Sequence, residues 1–281
     1  IHYLDWSLSL HGNLKRFREI TAKQKEHQDE IFNKSIIDSY QKEKELFEAV
    51  DHIICISAHT RQILIDDYRI SPTKTTIIYN GLTTIDNGQL KRCDIPIAKK
   101  SLKSANYEPI NDELNTIDPF DLETDRATLR RKLYIPDNEL LILFAGRVHN
   151  IKGIKYALQA FRKVLNILPH CRFIIAGDGI FEKHMKDCVD IWTRVTWTGF
   201  IDKDKLYDLF SIADIGIMPS FHEQCSYVAI EMMMHGVPLI ASTSTGLKEM
   251  IEDGITGMHI PVIDHPERME IDTSLSADKM L

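Results

Sequence analysis

The stretch SFHEQCSYVAIEMMMHGVPLIAS (220–242) places two carboxylates, Glu223 and Glu231, eight positions apart, one ahead of a helix-like apolar run and one inside it. Packing explains the run: Val228, Met232 and His235 share one helical face, and Gly236 then Pro238 end the helix. It does not explain the carboxylates, because acidic side chains are seldom buried without a partner and the flanks are strongly apolar. On a single helix eight residues span ~12 Å, beyond the roughly 5–9.5 Å that separates the carboxyl pair of a glycosidase. With Glu223 in a loop and Glu231 near the helix start, the pair suits two groups accepting hydrogen bonds from hydroxyl pairs along one ligand, as a sugar and a ribose would offer. Two independent helix-end charges are the alternative.

A second candidate is AGRVHNIKGIKYAL (145–158). Gly146 ends a strand, Arg147 and Lys152 follow five apart, and Gly153 precedes a helix. Two cations beside a helix N-terminus suit a diphosphate, because unpaired backbone N–H groups and the helix dipole favour negative charge there. Arginine adds a flat two-pronged donor and lysine a mobile point charge. Two solvated charges on a surface loop would read the same. In IIAGDGIFEK (174–183), Gly177 and Gly179 would let the backbone turn sharply toward a ligand, although the full dinucleotide-loop spacing is missing. The aspartates of DKD (202–204) resemble a metal-binding pair, yet Asp202 stands directly ahead of LYDLF, where it makes a helix N-cap. No metal site is expected.

These residues need a scaffold. From LLILFAG (140–146) onward, apolar strands alternate with amphipathic helices, which implies a parallel sheet covered on both faces, a doubly wound α/β domain. Ligands of such domains bind beyond the carboxyl ends of the strands, and the short polar segments GRVHNIKG, GDGIFEK, TGFIDKD, SFHEQ and TSTGLKE all fall there. Upstream, residues 14–50 read as one or two amphipathic helices, HIICIS (52–57) as a buried strand, HTRQILIDDY as a helix and TTIIYNG (75–81) as a second strand. Residues 1–86 are therefore expected to form one unit, 87–123 a polar linker, and 124–281 the second domain. IHYLDWS reads as the end of a strand, so a preceding portion is expected to be missing. The tail ERMEIDTSLSADKML reads as a linker and the start of a helix.

The 281 residues suffice for two cores, and 43% hydrophobic with 27% charged residues is ordinary for a globular protein. A net charge of −7 argues against nucleic-acid binding. Five scattered cysteines (55, 93, 171, 188 and 225) without a C-x-x-C pair suit reduced thiols in the cytoplasm better than a disulfide frame. No apolar run reaches the ~20 residues of a membrane span. The basic side of 15–25 (Lys15, Arg16, Arg18, Lys23, Lys25) offers an anionic membrane a peripheral contact, while the interspersed acidic residues favour a solvated face.

Taken in order, LLILFAGRVHNIKG, RFIIAGDG, VTWTGFIDKDKLYDLFSIADIGIMPS and HEQCSYVAIEMMMHGVPLIAS resemble the retaining glycosyltransferases of the GT-B fold, in particular family 4. The resemblance runs from about Asp51 to Ile260. The glutamate pair with seven residues between, placed after PS, is that family's hallmark, and IHYLDW looks like its strand with a histidine near the interdomain cleft. It implies two Rossmann-like domains facing a cleft, the N-terminal one incomplete here. It further implies that Arg147 and Lys152 hold the diphosphate of a UDP- or GDP-sugar, that Glu231 binds the ribose and that Glu223 binds the transferred sugar. Phe200 and Ile201 would meet the base, and His2 would face the donor sugar. Gly146, Gly177, Gln224, Cys225, Ser226 and Tyr227 would line the donor site. The reaction implied is metal-independent hexosyl transfer to a saccharide or lipid-linked acceptor, with no cofactor. A nucleotide-binding piece without turnover and a GT-B sugar-nucleotide epimerase remain as alternatives. The sequence departs from the family pattern at Gln224-Cys225-Ser226, where members often carry Gly-Phe-Gly, at Leu82-Thr83-Thr84, where an Asp usually follows Asn-Gly, in the longer linker, and in the absent Gly-rich loop.

Overall fold

A computed structural model of the chain describes residues 4–22, 31–81, 83–86, 89–92, 119–264 and 269–281. Its N-terminal elements are α1 (Asp5–Ser9), α2 (Leu14–Ala22), α3 (Ile31–Ala49), β1 (Ile53–Cys55), α4 (Ala58–Asp66) and β2 (Thr75–Ile77). Strands β1 and β2 pair in parallel, with Ile53 opposite Thr75. Of the one or two helices expected over 14–50, two are present. Their apolar faces close a core with Trp6, Phe17, Ile36, Ile37, Leu64 and Tyr68, in which the Trp6 and Phe17 rings stack at 4.3 Å.

The strand expected over IHYLDWS is corrected. Asp5–Ser9 is helical, because Trp6 and Leu10, four residues apart, then bury on one face. Residues 1–3, including the candidate His2, lie outside the described residues, as do Lys23 and Lys25 of the basic face. Arg18 of that face is engaged, its guanidinium donating to both Asp67 oxygens at 2.7 and 3.0 Å.

The polar segment that follows opens with a strand pair, β3 (Thr83–Asp86) and β4 (Gln89–Arg92), antiparallel with Thr83 opposite Arg92. The boundary expected at 86/87 thus falls between two paired strands. Helix α5 (Pro119–Lys132) begins inside the expected linker. It is anchored to the second domain by Arg126 and Arg130, which both pair with Asp214, while Asp214 also accepts from Leu141 N at 2.7 Å.

The second domain has the expected alternation: β5 (Leu140–Ala145), α6 (Ile154–Leu165), β6 (Cys171–Ala176), α7 (Phe181–Met185), β7 (Val195–Gly199), α8 (Lys203–Ile212), β8 (Ile215–Met218), α9 (Tyr227–Met234), β9 (Leu239–Ser242), α10 (Leu247–Met250) and β10 (Gly257–Ile260). The six strands form one sheet in the order β10-β9-β8-β5-β6-β7, each pair parallel. Side chains of β5 alternate between its faces: Leu141, Leu143 and Ala145 join a core with α8, α9 and α10, and Ile142 and Phe144 one with α6. Fully burying such a side chain is worth roughly 1.5–3 kcal/mol, which is why the strands are near-continuous apolar runs.

The tail departs from expectation only in part. β11 (Val262–Asp264) pairs antiparallel with β12 (Met269–Ile271), a strand where a linker was expected, and the expected helix follows as α11 (Thr273–Met280), whose Ala277 and Met280 bury in the α6 core. This strand order has consequences for ligand binding. The chain leaves β5 toward β6 and β7, then returns to place β8, β9 and β10 on its other side. The carboxyl ends of β5 and β8 are thus the switch point of the sheet, where doubly wound domains bind their ligands.

Candidate functional site

The loops at that switch point are held together backbone to backbone. Gly146 N donates to Ala176 O at 2.9 Å and Gly177 N to Gly199 O at 3.1 Å, which ties the ends of β5, β6 and β7. Gly177 has φ 147°, and a Cβ there would lie 1.9 Å from Gly146 O. Gly153, at φ 70°, links the turn Asn150–Lys152 to α6, and its Cβ would lie 1.9 Å from Pro219 O. Phe221 N adds a bond to Ile151 O at 2.8 Å. The loop after β5 is thereby pressed on the loop after β8. Gly153→Ala is expected to destabilise the fold by on the order of 2–3 kcal/mol, from positive φ and the backbone clash together. Gly236→Ala, at φ 72° with nothing within 4 Å of its Cβ, should cost only about 1 kcal/mol. Urea unfolding of the two variants checks the difference.

That contact brings Lys152 to Glu223. Their side chains form an ion pair, 25% and 15% exposed respectively. The Glu223 peptide is fixed from behind, its carbonyl accepting from Gly246 N at 2.6 Å and its N–H donating to Thr245 Oγ1 at 3.1 Å. Arg147 is exposed, with no hydrogen bond or ion pair among the described residues.

Glu231 lies on α9, 9% exposed. Tyr207 Oη donates to its Oε1 at 3.1 Å, and Lys203 Nζ stands 3.3 Å from the same oxygen, above the Tyr207 ring at 5.1 Å. Among the described residues Oε2 has no hydrogen-bond partner. One carboxylate oxygen is thus held by the protein and the other is open to a ligand hydroxyl. At the head of α9, Ser226 accepts from Ala229 N. The first-turn amides of Tyr227 and Val228 have no partner among the described residues, as helix geometry requires of donors that no side chain caps.

Of the remaining candidates, Phe200 is 81% exposed, whereas Ile201 packs against the core. Gln224 is buried with Oε1 unpartnered. Cys225 sends its side chain into the core, so only its backbone is open to a ligand. Tyr227 is half-exposed. Asp202 caps α8, accepting from Lys205 N at 2.9 Å, as its position in the sequence implies. Among the described residues no three His, Cys, Asp or Glu side chains gather as a metal site would need. Next to Glu223, His222 is buried with both ring nitrogens unpartnered. Burial, helped by His59 and Lys152, lowers its imidazole to about 4 and keeps it neutral at neutral pH.

Lys203, Tyr207, Thr245 and Gly246 are absent from the sequence-derived site. Lys203 and Tyr207, four apart, can be seen to share a helix face. Which carboxylate that face meets depends on how α8 and α9 pack.

Two family models match this chain: glycosyl transferases group 1 over residues 139–271 and glycosyltransferase family 4 over residues 10–84. An uncharacterized glycosyltransferase of Methanocaldococcus jannaschii is 31% identical over 183 residues, 60% of this chain and 47% of that protein. The alpha-D-kanosaminyltransferase of Streptomyces kanamyceticus is 32% identical over 150 residues, 52% of this chain and 39% of that one. The chain thus spans about half the length, or less, of the curated relatives it matches. Among solved structures, the Anabaena protein HepE in complex with UDP and glucose superposes with a TM-score of 0.62 at 18% identity, covering 86% of this chain and 56% of that one. The doubly wound sheet, its switch point beside β5 and the two family matches agree, and the chain belongs to the group 1, family 4 glycosyltransferases of the GT-B fold.

Proposed function

We propose that this chain carries the donor site of a retaining glycosyltransferase that moves a hexosyl group from a UDP- or GDP-sugar to a saccharide or lipid-linked acceptor. Residues 124–281 are its donor domain and residues 1–86 part of its acceptor-side domain. The observation that carries the reading is the pairing of Lys152 with Glu223 at the switch point, beside a Glu231 whose Oε2 is open. Support comes from HepE, solved with UDP and glucose, and from the relative named alpha-D-kanosaminyltransferase.

In this reading the departing diphosphate lies between Arg147, Lys152 and the head of α9. The two cations and the free amides of Tyr227 and Val228 offset the charge that develops on it, with no divalent ion required. Glu231 Oε2 takes a ribose hydroxyl, Glu223 takes the sugar, and exposed Phe200 lies against the base. No side chain is placed as a nucleophile, so the acceptor attacks the face that the phosphate leaves, and the phosphate oxygen takes the acceptor proton. One consequence is open to test. Chelator should leave donor binding and turnover unchanged within about twofold, a shift under ~0.4 kcal/mol. Loss of both in chelator, restored by Mn²⁺, would reassign the site to metal-assisted chemistry.

Because the chain spans only part of its relatives, binding without turnover is a second reading. Turnover with an acceptor panel, measured beside nucleotide calorimetry, separates the two. A sugar isomer formed without acceptor would mark an epimerase instead. Among the described residues no helix is long and apolar enough to cross a membrane. A cytoplasmic protein that meets a lipid-linked acceptor at the membrane surface fits the proposal.

A further inference from the structure

Among the described residues, one carboxylate links the N-terminal elements to the second domain through several hydrogen bonds. Glu249, on α10, accepts from Ala58 N through Oε2 at 2.8 Å and from His59 N through Oε1 at 2.7 Å. These are the first two amides of α4, and Ser57 Oγ takes a third, Thr60 N, at 3.1 Å. A helix start leaves four amides unpaired. Here a residue some 190 positions away in sequence satisfies two of them and sets its charge at the positive end of the dipole. Tyr79 Oη donates to Glu249 Oε2 at 3.3 Å; burial, with Glu249 adding, pushes the Tyr79 phenol up to about 12, so it stays a donor.

The same short helix holds the donor loop. Thr245 and Gly246, directly ahead of α10, fix the peptide of Glu223. Gly246 lies so close to the next peptide that a Cβ would fall 1.4 Å from Gln224 O. One residue further, Cys225 O accepts from Asn80 Nδ2 of the N-terminal side at 3.2 Å. Alongside, Ile56 from between β1 and α4 is buried in the core of α8, α9 and α10. A strut thus runs from the amides of α4, through Glu249 and the head of α10, to the backbone of Glu223.

We infer that Glu249 is a positioning residue that fastens the acceptor-side elements to the loop bearing Glu223, so that the two move together when a donor binds; what that loop binds rests on the donor-site reading above. A carboxylate suits the role because it accepts two N–H groups at once with the charge α4 prefers, and no other side chain of similar length does both.

Hydrogen exchange of the whole chain, read at Ala58 and His59 with and without UDP-glucose, tests the inference. In the wild type both amides should be protected, and donor should slow them further by about threefold or more. Glu249→Ala should raise their exchange at least about tenfold in the free protein and abolish the response to donor, while Leu143 in β5 exchanges as before. Glu249→Gln keeps the side-chain length and one acceptor oxygen and should restore part of the protection. It carries the same comparison if the alanine variant does not fold. Unchanged exchange at Ala58 and His59 in both variants would overturn the link, and a donor response that survives in them would overturn the coupling. Should UDP-glucose fail to bind the wild type, the donor-site reading falls, and the exchange of the free proteins still decides whether Glu249 fastens α4.

Discussion

Alanine at Arg147 or Lys152 should weaken binding of a nucleoside diphosphate by roughly 1.5–3 kcal/mol each, about 10- to 100-fold, as expected for loss of a charge-assisted hydrogen bond. The two variants should differ in stability. Arg147 is exposed and unpaired among the described residues, so its removal should leave the melting temperature unchanged. Lys152 pairs with the largely buried Glu223, and its removal strands that carboxylate. Lys152→Ala should therefore lower the melting temperature as well as the affinity. Calorimetry and thermal unfolding of the two variants provide the comparison. Equal UDP affinity in the double variant and the wild type would remove both residues from the diphosphate site.

The two glutamates should part company under the same substitution. Glu231→Gln changes a group set back on α9, where Oε1 is held by Tyr207 and Lys203. It should weaken UDP and UDP-sugar alike, by roughly 1–2 kcal/mol, since both carry the ribose. Glu223→Gln acts in the opposite sense on the free nucleotide. It releases Lys152 from its ion pair, so UDP affinity should stay level or rise, while the sugar loses its acceptor and turnover falls at least about 100-fold. That loss should exceed a plain binding defect, because hydrogen bonds to the sugar strengthen as positive charge develops at its ring. Equal losses of UDP affinity in both variants would contradict the division of roles and point to a shared structural one.

The period of the apolar pattern is what made the second domain legible. Runs such as LLILFAG and RFIIAGD are buried on both faces and alternate with helices, so strands, helices and the polar loops at their ends follow from the order of residues alone. Asp202 was equally readable, because a helix cap is a local property. The N-terminal strand was not. Leu4, Trp6 and Leu10 satisfy both an extended and a helical reading over so short a segment, and stacking of Trp6 on Phe17 decides the matter. The tail was legible in its helix, α11, but not in β12, which exists only because β11 pairs with it.

The site divides along the same line. Glu223, Glu231, Arg147 and Lys152 could be picked out by residue type and spacing, and the fold brings Lys152 to Glu223 across the switch point. That Glu231 is held by Tyr207 and Lys203, and Glu223 by Thr245 and Gly246, depends on contacts between segments some 20 to 30 residues apart, which no local pattern encodes. Cys225 shows the converse: its place two residues after Glu223 reads as lining of the site, but its neighbours enclose the side chain in the core.

The central claim is that the switch point beyond β5 and β8 holds a nucleoside diphosphate through Arg147, Lys152 and the head of α9. Calorimetric titration of the whole chain with UDP, GDP, uridine and guanosine in chelator tests it most directly. The account predicts that one of the two diphosphates binds at least about tenfold more tightly than its own nucleoside, a gain of ~1.4 kcal/mol or more, and that the gain disappears in the Arg147→Ala, Lys152→Ala double variant. A diphosphate that binds no better than its nucleoside, or a gain that survives in the double variant, would contradict it.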